Sequence, residues 1–305
     1  MRNRRSSARS WSNMDYDILV KIFMTVNVMD LISSVSLVCS SWHTACCDPV
    51  IWKKLDLSML ISNSIHIPPE PYAWSDEHSN KKLMKILRTC LNLSHGNVTC
   101  LVFHFYVFIK NEHLVCAAQR TRNLKRLVLP AWNQLTASGI REAFKMWEGL
   151  ESMTVPCLFN PTSIMQVIST YCKNFSELKI MCPFDLDFAS ALIKYVPKLK
   201  VFSLRCTMVY KEALIRILDN LKHLEVLNIC HCLVIHIKDT TGSITVYREL
   251  DQTIIEKGSR LREFLTCQTK PCAMCQRTFE EDGILRWYEY EQGRWREDEV
   301  KSLAH

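Results

Sequence analysis

The chain has 305 residues, of which 48% are hydrophobic and 23% are charged, and its formal net charge is +7. This composition suits a chain that buries a core, so it excludes a mainly disordered protein, and the modest charge does not indicate a nucleic-acid-binding protein. Because no apolar run reaches the roughly 18 residues that a membrane-spanning helix needs, we expect a water-soluble protein without a membrane partner.

Residues 1–10 form a basic, serine-rich tail that we expect to be disordered. Arg2, Arg4, Arg5 and Arg9 make it the densest cluster of positive charge in the chain. A nuclear-targeting signal is the alternative interpretation of this cluster.

Residues 11–58 predict a compact helical unit. Its first helix places Met14, Ile18, Leu19, Ile22 and Phe23 at the spacing of one helix face. A second apolar set runs from Leu31 to Trp42, and Asp30 is expected to cap that helix at its N-terminus. About 45 residues cannot bury all these side chains alone, which predicts a partner or a neighbouring domain.

This unit resembles an F-box. The resemblance is carried by the segment from Trp11 to Phe23, by Asp30-Leu31, by Val38-Cys39-Ser40-Ser41-Trp42 and by Pro49-Val50-Ile51-Trp52. The family usually opens with Leu-Pro, whereas this chain has Met14-Asp15, so we expect a different entry into the first helix but the same fold.

The resemblance implies docking onto the Skp-type adaptor of a cullin-RING ubiquitin ligase. On the residues alone, without the resemblance, a helical cap for the domain that follows is the favoured interpretation. Some of the residues that the resemblance assigns to the contact must belong to the unit's own core. The residues that would form or support the contact are Met14, Ile18, Leu19, Ile22, Phe23, Leu31, Val35, Val38, Cys39, Trp42 and Trp52.

Residues 59–82 are predicted to be a linker, because Pro68, Pro69 and Pro71 prevent a continuous helix. A short helix at 82–93 is expected to cover the open end of the next domain.

Residues 83–266 contain a repeated apolar signature that predicts a leucine-rich repeat solenoid. The repeats begin about 24 to 26 residues apart, and an irregular strand at 261–265 brings their number to about seven. Each unit should pair a short parallel strand on the concave side with an outer helix, which makes the domain an α/β solenoid. The signatures are Val98-Leu101-Phe103, Leu124-Leu127-Leu129, Leu150-Met153-Val155, Phe175-Leu178-Ile180, Leu199-Phe202-Leu204 and Leu224-Leu227-Ile229.

The period breaks after Cys232. We expect an inserted loop at 233–242 and a helix at 246–257 before the last strand.

The strand residues between the anchors should form the concave face, which we expect to bind a target protein. Arg126, Trp132 and Arg205 are the first candidates, because exposed Trp and Arg are common at binding hot spots. The remaining members of this predicted target-binding set are Val128, Ser152, Thr154, Glu177, Lys179, Val201, Ser203, Val226 and Asn228.

The cysteines give no complete metal site. Cys272 and Cys275, with Cys267 before them, have the spacing of half a zinc site, but the chain has no second CxxC motif. We therefore predict no metal, with zinc as the alternative, and we interpret the Cys230-His231-Cys232 run with His236 as repeat filler. The odd total of fifteen cysteines and the lack of a secretory signal predict a reducing compartment, the nucleus, the cytoplasm or both.

No motif for catalysis or cofactor binding is present: the sequence has no glycine-rich phosphate loop, no G-x-S-x-G elbow and no H-E-x-x-H. We expect a non-enzymatic protein without a cofactor. Residues 267–305 should form an aromatic lid over the last repeat or, alternatively, a segment that binds a partner.

The whole chain resembles plant F-box/LRR-repeat proteins, through the features above and through Arg286-Trp287-Tyr288-Glu289-Tyr290-Glu291 in the tail. That resemblance implies a substrate receptor of an SCF-type ubiquitin ligase, whose solenoid holds a target protein. A scaffold or adaptor competitor that delivers no substrate is the main alternative. An enzyme would need a cleft with clustered titratable groups.

Overall fold

The structure, a computed structural model, describes residues 11, 14–58, 60, 77–105, 107–131, 133–158, 160–204, 207–237, 244–247 and 249–267. In these ranges, short helices come first and are followed by alternating strands and helices. The helices are α1 (Tyr16–Phe23), α2 (Val28–Ser33), α3 (Ser40–Cys46), α4 (Pro49–Trp52), α5 (Glu77–Leu93), α6 (Asn111–Arg120), α7 (Ala137–Phe144), α8 (Pro161–Tyr171), α9 (Leu186–Tyr195), α10 (Lys211–Asn220) and α11 (Gln252–Gly258), with a 3-10 helix at Val35–Leu37.

The strands are short and occur throughout the second part of the molecule. They are β1 (Lys54–Asp56), β2 (Cys100–Val102), β3 (Ile109–Lys110), β4 (Arg126–Val128), β5 (Asn133–Gln134), β6 (Ser152–Val155), β7 (Glu177–Ile180), β8 (Val201–Ser203), β9 (Met208–Tyr210), β10 (Val226–Asn228), β11 (Leu233–Ile237), β12 (Ile244–Tyr247) and β13 (Glu263–Leu265).

One parallel sheet of eight strands, in the order β1-β2-β4-β6-β7-β8-β10-β13, runs through the described residues. Its central anchors stand in register, so that Leu127 pairs with Met153 and Met153 with Leu178. A helix follows most strands on the outer side, and the anchors of all repeats share one buried core. The predicted α/β solenoid is confirmed, including the irregular last strand, which pairs with β10.

Backbone hydrogen bonds join each repeat to the next at the point where the strands begin. The carbonyl oxygen of Lys125 accepts from the backbone N–H of Glu151 at 2.8 Å and from that of Ser152 at 3.0 Å. The carbonyls of Thr99, Glu151, Ser176 and Lys200 repeat this double acceptance. Each new strand therefore starts at a fixed position against the preceding one.

The solenoid begins earlier than the sequence predicted. Strand β1 lies before the predicted boundary at residue 58 and pairs with β2, and Leu55 and Leu57 are buried in the solenoid core. Helix α5 also starts inside the predicted linker, at Glu77. A three-residue strand whose partner lies more than 40 residues away leaves only the alternation of Leu55, Asp56 and Leu57 as a local signal.

The prediction of a loop at 233–242 was wrong for its first half. Strand β11 pairs with β9 of the preceding repeat and, in antiparallel fashion, with β12. The predicted helix at 246–257 begins only at Gln252, where the Asp251 side chain accepts from the N–H of Thr253. In addition, β3 and β5 form a two-stranded sheet between the first repeats. No helix in the described ranges is both long and apolar enough to cross a membrane.

The anchor Leu178 tests the packing of the solenoid core. It is fully buried, so the Leu178→Ala substitution should lower the free energy of unfolding by about 2–5 kcal/mol through lost burial and a residual cavity. Leu186→Ala is the matched control, because Leu186 is 42% exposed and its truncation should cost no more than about 0.5 kcal/mol. Urea denaturation followed by circular dichroism measures both. Equal losses in the two variants would contradict the assignment of Leu178 to the core.

His113 joins the first two helices of the solenoid. Its side chain is fully buried: Nδ1 accepts from the backbone N–H of Lys110 at 3.1 Å, and Nε2 lies 3.3 Å from the carbonyl oxygen of Asn80. Since Nδ1 accepts, the ring is neutral with its proton on Nε2, which donates to Asn80. Burial is the main cause that lowers the pKa of His113 below its ordinary value of 6.5.

This buried histidine makes the solenoid less stable in acid. Below pH 6.5, His113 is protonated in the unfolded chain but stays neutral in the folded protein. As the pH falls, the free energy of unfolding should therefore decrease by at most about 1.4 kcal/mol per pH unit through this group. His113→Gln should remove this component, whereas His223→Gln, which changes an exposed histidine, should keep it. Urea titrations between pH 7.5 and 5.5 measure the difference. Parallel pH profiles for wild type and His113→Gln would contradict this account.

Candidate functional site

The N-terminal helices pack around a small core of their own. Leu19, Val20 and Phe23 of α1 are buried against Leu31 of α2 and residues of α3. The ring of Phe23 meets that of Trp42 edge to face, with centroids 5.3 Å apart. This core uses only one face of α1.

Two aspartate side chains cap the N-termini of α1 and α4. Asp15 caps α1 by accepting from the N–H of Asp17 at 3.0 Å. Asp48 caps α4 by accepting from the N–H of Val50, and it also accepts from the Tyr16 hydroxyl at 2.8 Å. That hydrogen bond to a carboxylate raises the pKa of Tyr16. Asp15, which stands where the family usually has proline, thus supplies the helix start by capping.

The predicted N-cap of the second helix was wrong. Helix α2 begins at Val28, and its cap is Asn27, whose Oδ1 accepts from the N–H of Asp30 at 2.9 Å. Asp30 instead lies in the first turn, where its negative charge interacts favourably with the helix dipole. Asn and Asp are equally good caps, so spacing alone did not distinguish them.

Large apolar side chains are exposed on the opposite side of α1 and at the 3-10 helix. Ile18 and Ile22 are four residues apart and therefore share a face, and Ile18 is 50% exposed. Leu37 is 72% exposed, and its neighbour Val38 is also exposed. We call Ile18, Ile22, Leu37 and Val38 the apolar patch. Such side chains cost free energy in water, so their exposure indicates a surface that a partner covers.

The structure divides the predicted adaptor-binding residues into three groups. Leu19, Phe23, Leu31 and Trp52 are buried, so they can only support a contact through packing. Ile18, Ile22 and Val38 are exposed. The remaining four are half-buried, namely Met14, Val35, Cys39 and Trp42.

Sequence analysis missed other exposed apolar residues in this unit. Leu37 was assigned to the second apolar set but not to the contact, although its position next to Val38 in a short segment was a usable signal. Trp11, Tyr16, Met24 and Val50 are exposed as well.

Trp52 connects the helical unit to the solenoid. Its side chain is 1% exposed and lies in the same core as Leu55 and Leu57, while its Nε1 donates to the carbonyl oxygen of Cys46 at 2.6 Å. Ile51 packs against both cores. The exposed patch is thus attached to the solenoid through buried contacts.

Comparison with known proteins agrees with both parts of this architecture. A family model described as F-box-like matches residues 16–58. The F-box/LRR-repeat protein At3g48880 of Arabidopsis thaliana is 46% identical over 300 residues, which cover 97% of this chain and 96% of that protein. The chain belongs to the F-box/LRR-repeat family. Two further relatives from Arabidopsis thaliana are each 25% identical: the putative F-box protein At4g11580, with 96% of both chains covered, and the F-box protein SKIP19, with 82% and 81% covered.

The concave strand residues of this F-box/LRR protein are far less accessible than the sequence predicted. Eight of the predicted target-binding side chains are at most 3% exposed, namely Val128, Ser152, Thr154, Lys179, Val201, Ser203, Val226 and Asn228. Strand alternation correctly gives the face on which a side chain lies, but it does not tell whether other residues cover that face. The prediction that these eight form an open surface was therefore wrong.

The other four predicted target-binding residues differ. Arg126 and Glu177 are half-buried. They are aligned across the sheet, because each of them pairs with Ser152 of the strand between them. Trp132 and Arg205 lie outside the described residues. Whether any of the twelve contacts a target stays a prediction.

The histidine and cysteine cluster near the last repeat is partly described. Nδ1 of His231 lies 3.3 Å from Sγ of Cys267, and His231 has a left-handed backbone with φ of 60°. Among the described residues, no group of three or more potential ligands is placed to hold a metal. Cys272 and Cys275 lie outside these residues, as does the predicted tail after Cys267.

The division between buried and exposed faces of α1 can be tested by truncation. Leu19→Ala should lower the free energy of unfolding by about 2–5 kcal/mol, because the side chain fills the F-box core. Ile22→Ala, on the exposed face of the same helix, should cost less than about 1 kcal/mol. Chemical denaturation of the two variants checks this order, and a reversed order would show that the faces are assigned incorrectly.

Proposed function

We propose that this protein is the substrate-recognition subunit of an SCF-type (Skp–cullin–F-box) E3 ubiquitin ligase. The apolar patch is the single observation that carries the proposal. It lies within the segment that the F-box-like family model matches, and it consists of side chains that the protein's own core does not use.

The patch is suited to hydrophobic docking onto a Skp-type adaptor. Burial of one large aliphatic side chain contributes about 1.5–3 kcal/mol, so Ile18, Ile22 and Leu37 together could dominate a contact. The adjacent core holds the patch in place, because Leu19 and Phe23 fix the rotation of α1 and Trp42 packs edge to face on Phe23. The buried members of the predicted adaptor-binding set act in this way.

The protein's contribution to ubiquitination is positional. Transfer of ubiquitin takes place on other subunits, and the receptor raises the effective concentration of target lysines near the charged enzyme. The chain therefore acts as a non-catalytic subunit, with a protein as its second partner.

A second function is favoured by the burial of the concave strand residues. A protein that docks on the adaptor but whose concave strand residues are covered, as eight of the described ones are here, would act as a scaffold or as a competitor for the adaptor. Ubiquitination of any protein that depends on this chain, measured in a reconstituted ligase, supports the receptor role and contradicts the competitor role.

The adaptor contact is tested by placing charges in the patch. The double variant Ile18→Asp/Leu37→Asp should bind a recombinant Skp-type adaptor at least about tenfold more weakly, because two carboxylates would be desolvated at the interface. Leu186→Asp is the matched control: it places the same charge on an exposed leucine of α9 in the solenoid.

Surface plasmon resonance measures adaptor affinity, and circular dichroism confirms that each variant is folded. Retention of wild-type affinity by the folded double variant would exclude the patch as the docking surface. Equal weakening by Leu186→Asp would show an unspecific effect of charge.

A further inference from the structure

Two cysteines follow neighbouring strands of the large sheet at the same offset. Cys157 lies two residues after the end of β6, and Cys182 lies two residues after the end of β7. The two strands pair in parallel as far as Val155 and Ile180, which stand opposite each other. The equal offset therefore places the two cysteines side by side, in adjacent repeats of the solenoid.

The backbone stays paired up to the residue before each cysteine. The N–H of Met181 donates to the carbonyl oxygen of Pro156 at 3.0 Å. Adjacent strands of a sheet are about 4.8 Å apart, and disulfides form between residues whose Cα atoms are about 4.4–6.8 Å apart. The two chains therefore have the spacing that a disulfide at this place needs.

The side chains of the two cysteines are in contact. The Cys182 thiol donates a hydrogen bond to the sulfur of Cys157, and both cysteines are free. The backbone N–H of Leu158, next to Cys157, donates in turn to the Cys182 sulfur. These hydrogen bonds hold the two sulfur atoms against each other without a covalent bond.

The contact makes the two thiols chemically different. The hydrogen bond from Cys182 stabilises the Cys157 thiolate and so lowers the pKa of Cys157, although partial burial opposes this. The same hydrogen bond, together with burial, raises the pKa of Cys182. Cys157 is thus the member of the pair with more thiolate, which is the form that reacts with oxidants.

The two cysteines also differ in accessibility. Cys182 is 5% exposed and belongs to the solenoid core, whereas Cys157 is half-buried and packs against that core. A small oxidant therefore reaches Cys157 first. An accessible thiolate next to a second thiol is the arrangement in which a sulfenic acid forms and is then resolved as a disulfide.

We propose that Cys157 and Cys182 form a reversible disulfide when the protein reacts with hydrogen peroxide. The Cys157 thiolate attacks one peroxide oxygen, the O–O bond breaks, and the other oxygen leaves as hydroxide, which yields a sulfenic acid at Cys157. The Cys182 sulfur then attacks the Cys157 sulfur, the S–O bond breaks, and the departing hydroxide takes the Cys182 proton. In total, two thiols and one peroxide give one disulfide and two waters.

The disulfide would join the repeats that contain β6 and β7. Each repeat of a solenoid contacts only its neighbours, so a covalent bond at this place would keep these two repeats together. A dithiol reductant reverses the reaction by thiol–disulfide exchange and restores both thiols. Disulfides of reducing compartments are usually transient in this way.

The test is peptide mapping of the full chain after treatment with a small excess of hydrogen peroxide. Trypsin leaves Cys157 in the peptide 146–173, together with Cys172, and leaves Cys182 in the peptide 180–194. Mass spectrometry without reduction should detect these two peptides joined and lighter by two hydrogen atoms than their sum. Dithiothreitol should separate them. Absence of the joined peptides after oxidation would overturn the proposal.

Two variants identify the cysteine of the longer peptide. Cys157→Ser should abolish the joined peptides, whereas Cys172→Ala, the matched control in the same peptide, should leave them unchanged. Cys172 is 3% exposed, and burial raises its pKa to about 12, so its thiol stays protonated and unreactive. Persistence of the joined peptides in Cys157→Ser would assign the bond to Cys172 and contradict the proposed pair.

A third variant tests the order of the two steps. Cys182→Ser removes the thiol that resolves the sulfenic acid, while the serine hydroxyl can still donate to the Cys157 thiolate. The sulfenic acid at Cys157 should then persist and react with dimedone at least about tenfold more than in the wild type. Dimedone on Cys172, or no dimedone on the variant, would contradict the assigned order.

Circular dichroism confirms that each of these variants is folded. None of the measurements involves the adaptor or a target protein. The inference therefore stands or fails separately from the proposed function.

Discussion

The in-register pairing of parallel strands is the constraint on which the structure depends. At the junctions from β4 to β10 one backbone carbonyl accepts two N–H groups of the next repeat, as Lys125 does from Glu151 and Ser152, and this fixes where the next strand starts. Anchors such as Leu127, Met153 and Leu178 then stack in one buried row. The outer helices of the solenoid pack on this shared core and take their positions from the stacking. The F-box helices are tied to the same stack through β1.

The repeated part of the fold was predictable because its signal is local and recurs. Leu127, Leu178 and Leu227 each belong to an apolar triplet whose spacing alone indicates a strand and a turn toward the core. Two errors occurred where a strand is defined by a distant partner. Strand β11 pairs with β9 of the preceding repeat, and β1 pairs with β2. A single segment does not contain that information.

The exposure of the predicted binding residues could not be derived from the sequence. Helix α1 is apolar on two faces, so its sequence did not show that Leu19 and Phe23 enter the core whereas Ile18 and Ile22 remain outside. The same limit explains the concave strands: Val201 and Val226 lie on the expected face, but both are completely buried. Accessibility depends on what packs against a face, and only the assembled tertiary structure contains that.

The buried tryptophan that joins the two parts has a mechanical consequence. Because Trp52 lies in the solenoid core and β1 continues into the sheet, the F-box is not suspended from a flexible tether. In the proposed complex, a target protein bound to the solenoid would lie at a fixed distance and angle from the adaptor. The effective concentration of the target near the ligase would then depend on this fixed geometry and not on the length distribution of a flexible linker. Under the proposed receptor function, only those target lysines that lie within this fixed geometry would be modified.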